Sequence, residues 1–178
     1  TYLRTARGTT VTMGALLAGL PLLLGGVGCL VSAWAIPRLA SRLRSTALAR
    51  RVVAITGFVG ASTCIFLFAG IEDPRRAMIV LGFAGFFNDF VMPAAWAGTM
   101  DIGGRYSGTV SGAMNMMGSI AGAVSVTVVG YLLAWTSNNW TLTFYISAAI
   151  YFVGAICWLF LDSHTPIERK TEELRQAA

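Results

Sequence analysis

Five stretches of this chain, 11–37, 52–71, 77–100, 106–134 and 140–161, are long, apolar and almost free of charge. They decide which solvent the chain folds in. A helix needs about 20 residues to cross the hydrocarbon core of a bilayer, so each stretch is long enough. Helices that lie on a soluble core alternate apolar and charged positions at helical period, and these do not. Membrane β-strands are roughly 9 to 11 residues long and alternate in polarity, which these runs also fail to match. Composition agrees, because only 12% of residues are charged, against roughly a quarter in a soluble domain. The expected fold is all-α, a polytopic membrane protein with five transmembrane helices. Residues 1–164 form its bundle and 165–178 its tail.

Five passes put the termini on opposite sides, and the Lys/Arg distribution assigns the sides. Arg38, Arg42, Arg44, Arg50 and Arg51 follow the first run, Arg105 lies between the third and fourth, and Arg169, Lys170 and Arg175 are in the tail. Together these make nine of the 13 basic residues on one face; Arg4, Arg7, Arg75 and Arg76 are on the other. The richer face is expected to be cytoplasmic, with the carboxyl terminus inside. The net charge of +5 does not indicate nucleic acid, since the arginines cluster at span ends and no nucleic-acid motif accompanies them. Trp135, Trp140 and Trp158, near span ends, fit an aromatic belt. Asn139-Trp140-Thr141 matches a glycosylation pattern too short to carry weight.

The chain starts at Thr1 with neither an initiator Met nor a signal-peptide pattern, as expected of a piece of something longer. Cys29, Cys64 and Cys157 fall in three different runs without CxxC spacing, so neither a metal site nor a disulfide framework is expected. His164 stands alone just past the last run, as a solvated tail histidine would.

Asp89, in the third run, is the one charged residue inside any of the five. An acid at membrane depth costs about 2.5–3.5 kcal/mol on insertion scales, so it must face protein or water. Pro93 has no N–H for the Asp89 carbonyl four residues earlier, and a kink is expected there. Asp89, Pro93, Trp96 and Met100 share one helical stripe. Two readings stand for Asp89: a proton or cation relay, or a protonated acid bonded to a neighbouring helix.

In the fourth run Gly108 and Gly112, then Gly118 and Gly122, make two GxxxG spacings of the kind that let helices approach. Ser111, Asn115, Gly118, Gly122 and Ser125 repeat at intervals of 4, 3, 4 and 3 and form one small, polar face. Asn115 is its one strong hydrogen-bonding group, able to grip a solute or a facing helix. The first run, with Gly19, Pro21, Gly25, Gly26 and Gly28, is expected to be bent and closely packed. The segment GGRYSG lacks the Lys-Ser/Thr ending of a P-loop, follows no strand and is not GxGxxG. Asp101 and Arg105 instead suit a cytoplasmic turn between two spans.

From Trp96 to Asn115 the sequence spells W-x-x-x-x-D-I-G-x-R-Y-x-G-x-x-x-G-x-x-N. That pattern, continued by Gly118, Gly122, Gly130-Tyr131 and Trp140, resembles the anion:cation symporter branch of the major facilitator superfamily, which includes hexuronate, glucarate and galactonate permeases. The five spans then resemble helices eight to twelve of a twelve-helix transporter, and TYL followed by ARG resembles the end of helix seven. The resemblance implies an inner-membrane secondary transporter, lacking here its amino-terminal half, that moves a small organic anion such as a sugar acid. Transport would be by alternating access with a coupling cation, H+ or Na+. Trp96 and Asn115 match positions in the solute-facing wall. The family's G-x-x-x-D-R loop is matched by Ala33 to Arg38, with Pro37 in place of the acid. Arg38, Asp101 and Arg105 are then the candidates for a cytoplasmic turn or gate. No cofactor is implied.

Two rivals are weighed against this expectation. An intramembrane enzyme would need a second acid, a Ser/His pair or a metal cluster at membrane depth, and the sequence has none. A small helical membrane subunit that only scaffolds partners is the alternative to a transporter.

Overall fold

The computed structural model describes residues 11–163 and 165–167. Among these the regular structure is entirely helical: α1 Val11–Leu43, α2 Thr46–Ala69, α3 Pro74–Phe90, α4 Met92–Gly103, a 3-10 turn Gly104–Tyr106, α5 Ser107–Trp135 and α6 Trp140–Phe160. The segment likened to the end of helix seven, His164 and most of the tail lie outside the described residues. The chain is an all-helical, polytopic membrane protein.

Helices outrun the apolar stretches that announced them. α1 continues through Pro37 to Leu43, and α2 starts at Thr46. Hydropathy marks the part of a helix immersed in hydrocarbon, whereas the backbone ladder continues into the interface until a cap stops it. Here Arg44 adopts a left-handed φ of 53°, and the Ser45 hydroxyl accepts from the Leu48 N–H at 3.3 Å, opening α2. Asp73 caps α3 in the same manner through the Arg75 N–H, and Asn139 caps α6 through that of Leu142.

The number of uninterrupted apolar helical runs among the described residues is four, not the expected five. Third and fourth spans are joined without an intervening loop into one run, Arg75–Trp135, of 61 residues. At 1.5 Å per residue such a rod would be about 90 Å long, but it does not continue straight. Met114 Sδ lies 2.9 Å from Thr99 Oγ1, and a Cβ on Gly103 would sit 3.4 Å from the Val110 side chain. The chain therefore folds back on itself at Gly104, whose φ of +50° suits only glycine well. A second break lies at Val91, between α3 and α4. It falls where the missing N–H of Pro93 was expected to interrupt the ladder.

Four helices, α1, α2, α3 and α6, make the packed body. α1 and α3 meet through glycine, since a Cβ at Gly28 would strike the Phe86 carbonyl and one at Gly85 that of Pro21. Between α2 and α3, Gly57 faces Val91 and Gly60 faces the Phe87 ring; between α2 and α6, Gly154 faces the Phe58 ring. Ser62 donates to the Ala148 carbonyl at 2.8 Å across the latter pair. One core cluster gathers Val53, Ala54, Val91, Ala94 and Trp158. Trp158 is only 8% exposed, so it does not belong to an interfacial belt as the sequence suggested. The small side chains of Ala54 and Ala94 leave the room its indole fills. Trp135, by contrast, is 87% exposed.

α5 differs from the rest. None of its 29 residues is buried, and its Gly108, Gly112, Gly118 and Gly122 have no neighbouring atom within 4 Å of a built Cβ. Within the described residues these four glycines pack against no other helix.

Candidate functional site

Arg50, in the second turn of α2, is the most heavily engaged cation among the described residues. Its Nη2 lies 2.7 Å from Asp101 Oδ2 on α4, and its Nη1 donates to the Ser163 carbonyl at 3.0 Å, just past α6. Next to it, Arg51 Nη2 donates to the Leu161 carbonyl at 3.0 Å. Adjacent arginines thus hold together the start of α2, the end of α4 and the end of α6. Only 7% of Arg50 is exposed, and a guanidinium fork can serve a carboxylate and a carbonyl at once. The α1–α2 junction, the α4–α5 turn and the exit from α6 accordingly lie at one end of the bundle, the end that carries most of the arginines. At the other end the Phe68 and Phe144 rings pack edge to face at 4.7 Å, joining the end of α2 to the start of α6.

Arg50 and Arg51 entered the sequence reading only as charges on one face. Asp101 was expected in a cytoplasmic turn with Arg105, and the structure gives it an ion-pair partner on α2, Arg50. Arg105 lies 5.7 Å from the Tyr106 ring centroid. Arg38 is not part of the Asp101 cluster. Its guanidinium lies 3.8 Å over the Trp34 ring and its Nη1 donates to the Trp34 carbonyl at 3.1 Å.

A second polar group lies at the helix break. Tyr151 on α6 donates its hydroxyl proton to Asn88 Oδ1 at 2.7 Å, and Asn88 Nδ2 donates to Asp89 Oδ1 at 2.8 Å. The other carboxylate oxygen of Asp89 lies against Gly25 of α1, where any Cβ would collide with it. All three side chains are half-buried. An acid, an amide and a phenol thus form a hydrogen-bonded chain from α6 through α3 to α1, in which the Asn88 amide uses its oxygen towards Tyr151 and its nitrogen towards Asp89 and so fixes the carboxyl group in place. Its position in the third span was legible, but Asn88 and Tyr151 were missed. Asn88 had a signal, being a polar neighbour of a membrane acid; Tyr151 had none, as one tyrosine in an apolar helix.

Trp96 and Asn115 occupy the facing helices of the α4–α5 hairpin. Trp96 is 37% exposed. Asn115 is exposed, and its side chain makes no hydrogen bond among the described residues; its carbonyl accepts from Ser119. Between this hairpin and α6 lies a cavity of about 310 Å³ bounded by Gly98, Thr99, Met114 and Trp158. Neither Trp96 nor Asn115 lines it. Cys29, Cys64 and Cys157 are free thiols, and no group of metal-ligating side chains occurs among the described residues.

No protein-family model matches the chain. Individual proteins do. A probable sulfoacetate transporter of Cupriavidus necator is 34% identical over 179 residues, covering 99% of this chain and 41% of that protein. The chloroplast ascorbate transporter of Arabidopsis thaliana is 26% identical over 158 residues, covering 89% of this chain and 29% of its own length. A probable vesicular glutamate transporter of Caenorhabditis elegans is 26% identical over 155 residues, 86% of this chain and 27% of that protein. These relatives are anion transporters. The chain spans about two fifths, or less, of the length of each, and none of the three is named for an enzymatic activity.

Proposed function

We propose that this chain is the carboxyl-terminal part of a secondary transporter of the major facilitator superfamily, in its anion:cation symporter branch. The whole protein would move a small organic anion across the bacterial inner membrane by alternating access, with its carboxyl terminus in the cytoplasm. The observation that carries this reading is α5, a 29-residue membrane helix with no buried residue and a face of four glycines around Asn115. A helix so bare suits contact with a second helical half and with a solute held between the halves. Trp96 and Asn115 are the proposed solute contacts: an indole to lie against the carbon skeleton and an amide to bond a carboxylate or hydroxyl.

A sugar acid is the proposed solute on the Trp96–Asn115 motif. A sulfonated two-carbon acid is the second reading, favoured by the relative that is 34% identical. Arg50, Asp101 and the α4–α5 turn would close the cytoplasmic end, and Asp89, positioned by Asn88 and Tyr151, would take up and release the coupling proton.

Uptake of labelled hexuronate, aldonate and sulfoacetate by cells expressing the complete protein tests the reading. Saturable uptake of one of them, weakened in Asn115→Ala at equal membrane abundance, is expected; unchanged kinetics remove Asn115 from the site. Asp89→Asn is expected to flatten the pH dependence of uptake, because an amide carries no exchangeable acid proton. An unaltered profile leaves Asp89 a structural role only. The in-frame sequence upstream of Thr1 separates a transporter from a small scaffold subunit, since only the transporter needs six or seven further spans.

A further inference from the structure

A groove of about 550 Å³ runs between the end of α1 and the start of α2, reaching Phe90 at its deep end. Its wall is apolar along Val52, Val53 and Phe90, with the 60% exposed Trp34 beside them. Arg38 and Arg42 line it as well, and among the described residues no acidic side chain does. These arginines are four residues apart, so they project from one face of α1. They lie in its last turns, at the depth where a membrane helix leaves hydrocarbon for headgroups. Arg38 gives one N–H to the Trp34 carbonyl and holds its guanidinium carbon 3.8 Å from the indole centroid, which fixes its fork beside the groove. Of the acids at the same end of the bundle, Asp101 is held by Arg50, and neither it nor Asp162 lines the groove.

We infer that this groove binds an anionic glycerophospholipid, its phosphate between Arg38 and Arg42 and one acyl chain along Trp34, Val53 and Phe90. Two guanidiniums above an apolar trough match a phosphodiester joined to a hydrocarbon tail. A free anion would leave that trough unfilled, and a zwitterionic lipid would set a second cation against the arginines. This inference does not depend on transport.

Native mass spectrometry of the delipidated full chain, titrated with dioleoyl phosphatidylglycerol or dioleoyl phosphatidylcholine, tests it. The expected result is tighter binding of phosphatidylglycerol, which the double variant Arg38→Gln/Arg42→Gln weakens about thirtyfold while phosphatidylcholine binding stays the same. Arg75→Gln/Arg76→Gln, at the other end of the bundle, should leave both lipids unaffected. Equal binding of the two lipids, full retention by the Arg38/Arg42 variant, or displacement of phosphatidylglycerol by equimolar inorganic phosphate would each overturn the inference. If the double variant does not fold, the preference of the unaltered protein between the two lipids decides.

Discussion

Gly25, Gly28 and Gly85 are pressed against a carboxylate or a backbone carbonyl, whereas Gly108, Gly112, Gly118 and Gly122 of α5 face open space. The sequence treats the two sets alike, as small residues at helical spacing in apolar spans. Their surroundings differ because α1 and α3 have each other, while α5 touches the described chain mainly through its start, where it meets α4. Small residues permit close approach without choosing the partner. In lipid, where a neighbouring helix is no more apolar than an acyl chain, attraction follows from packing and hydrogen bonds rather than from water exclusion.

The largest effect on stability is expected from filling a closed glycine. Gly28→Leu would drive a side chain into the Phe86 carbonyl and is expected to cost about 3 kcal/mol, read as a fall in thermal midpoint in detergent. Gly118→Leu should cost no more than about 0.5 kcal/mol of stability, yet impair uptake by the complete protein. Equal destabilisation by the two would show that α5 is packed as tightly as α1. Next in size is Arg50→Gln, which leaves Asp101 and the Ser163 carbonyl without their cation, for about 1–3 kcal/mol. Adding Asp101→Asn should cost less than it does alone, a coupling that a double-mutant cycle measures. Strict additivity would mean that the ion pair contributes nothing. Tyr151→Phe removes one interhelical hydrogen bond and should cost about 0.6 kcal/mol. The smallest change is expected from Asn115→Ala, whose midpoint should match that of the unaltered chain. A measurable loss would place the Asn115 amide in a contact between helices.

Membrane embedding and helical class were legible because they depend on local sums of hydropathy over about 20 residues. So was the break below Pro93, since a missing N–H acts on the backbone where it stands; a turn was legible between Asp101 and Arg105, but not that it rests on the left-handed Gly104. Asp89 could be singled out as the lone acid within an apolar run, but its partners could not. Asn88 is its sequence neighbour, whereas Tyr151 is 63 residues from Asn88. Nor was the ion pair legible, because Arg50 and Asp101 belong to different helices and each resembles any charge at a span end.

By itself the sequence determined that this chain is a set of long membrane helices, where they break, and which ends carry the positive charge. Only the tertiary structure decided that Trp158 lies inside, that Arg50 holds Asp101, and that the closed glycines are in α1, α2, α3 and α6 rather than α5. The physical reason lies in the solvent. In water an apolar stripe tells a helix which face to bury, but in a bilayer lipid and protein satisfy an apolar face about equally. The choice of face then passes to shape and to the few polar groups that must find partners across helices.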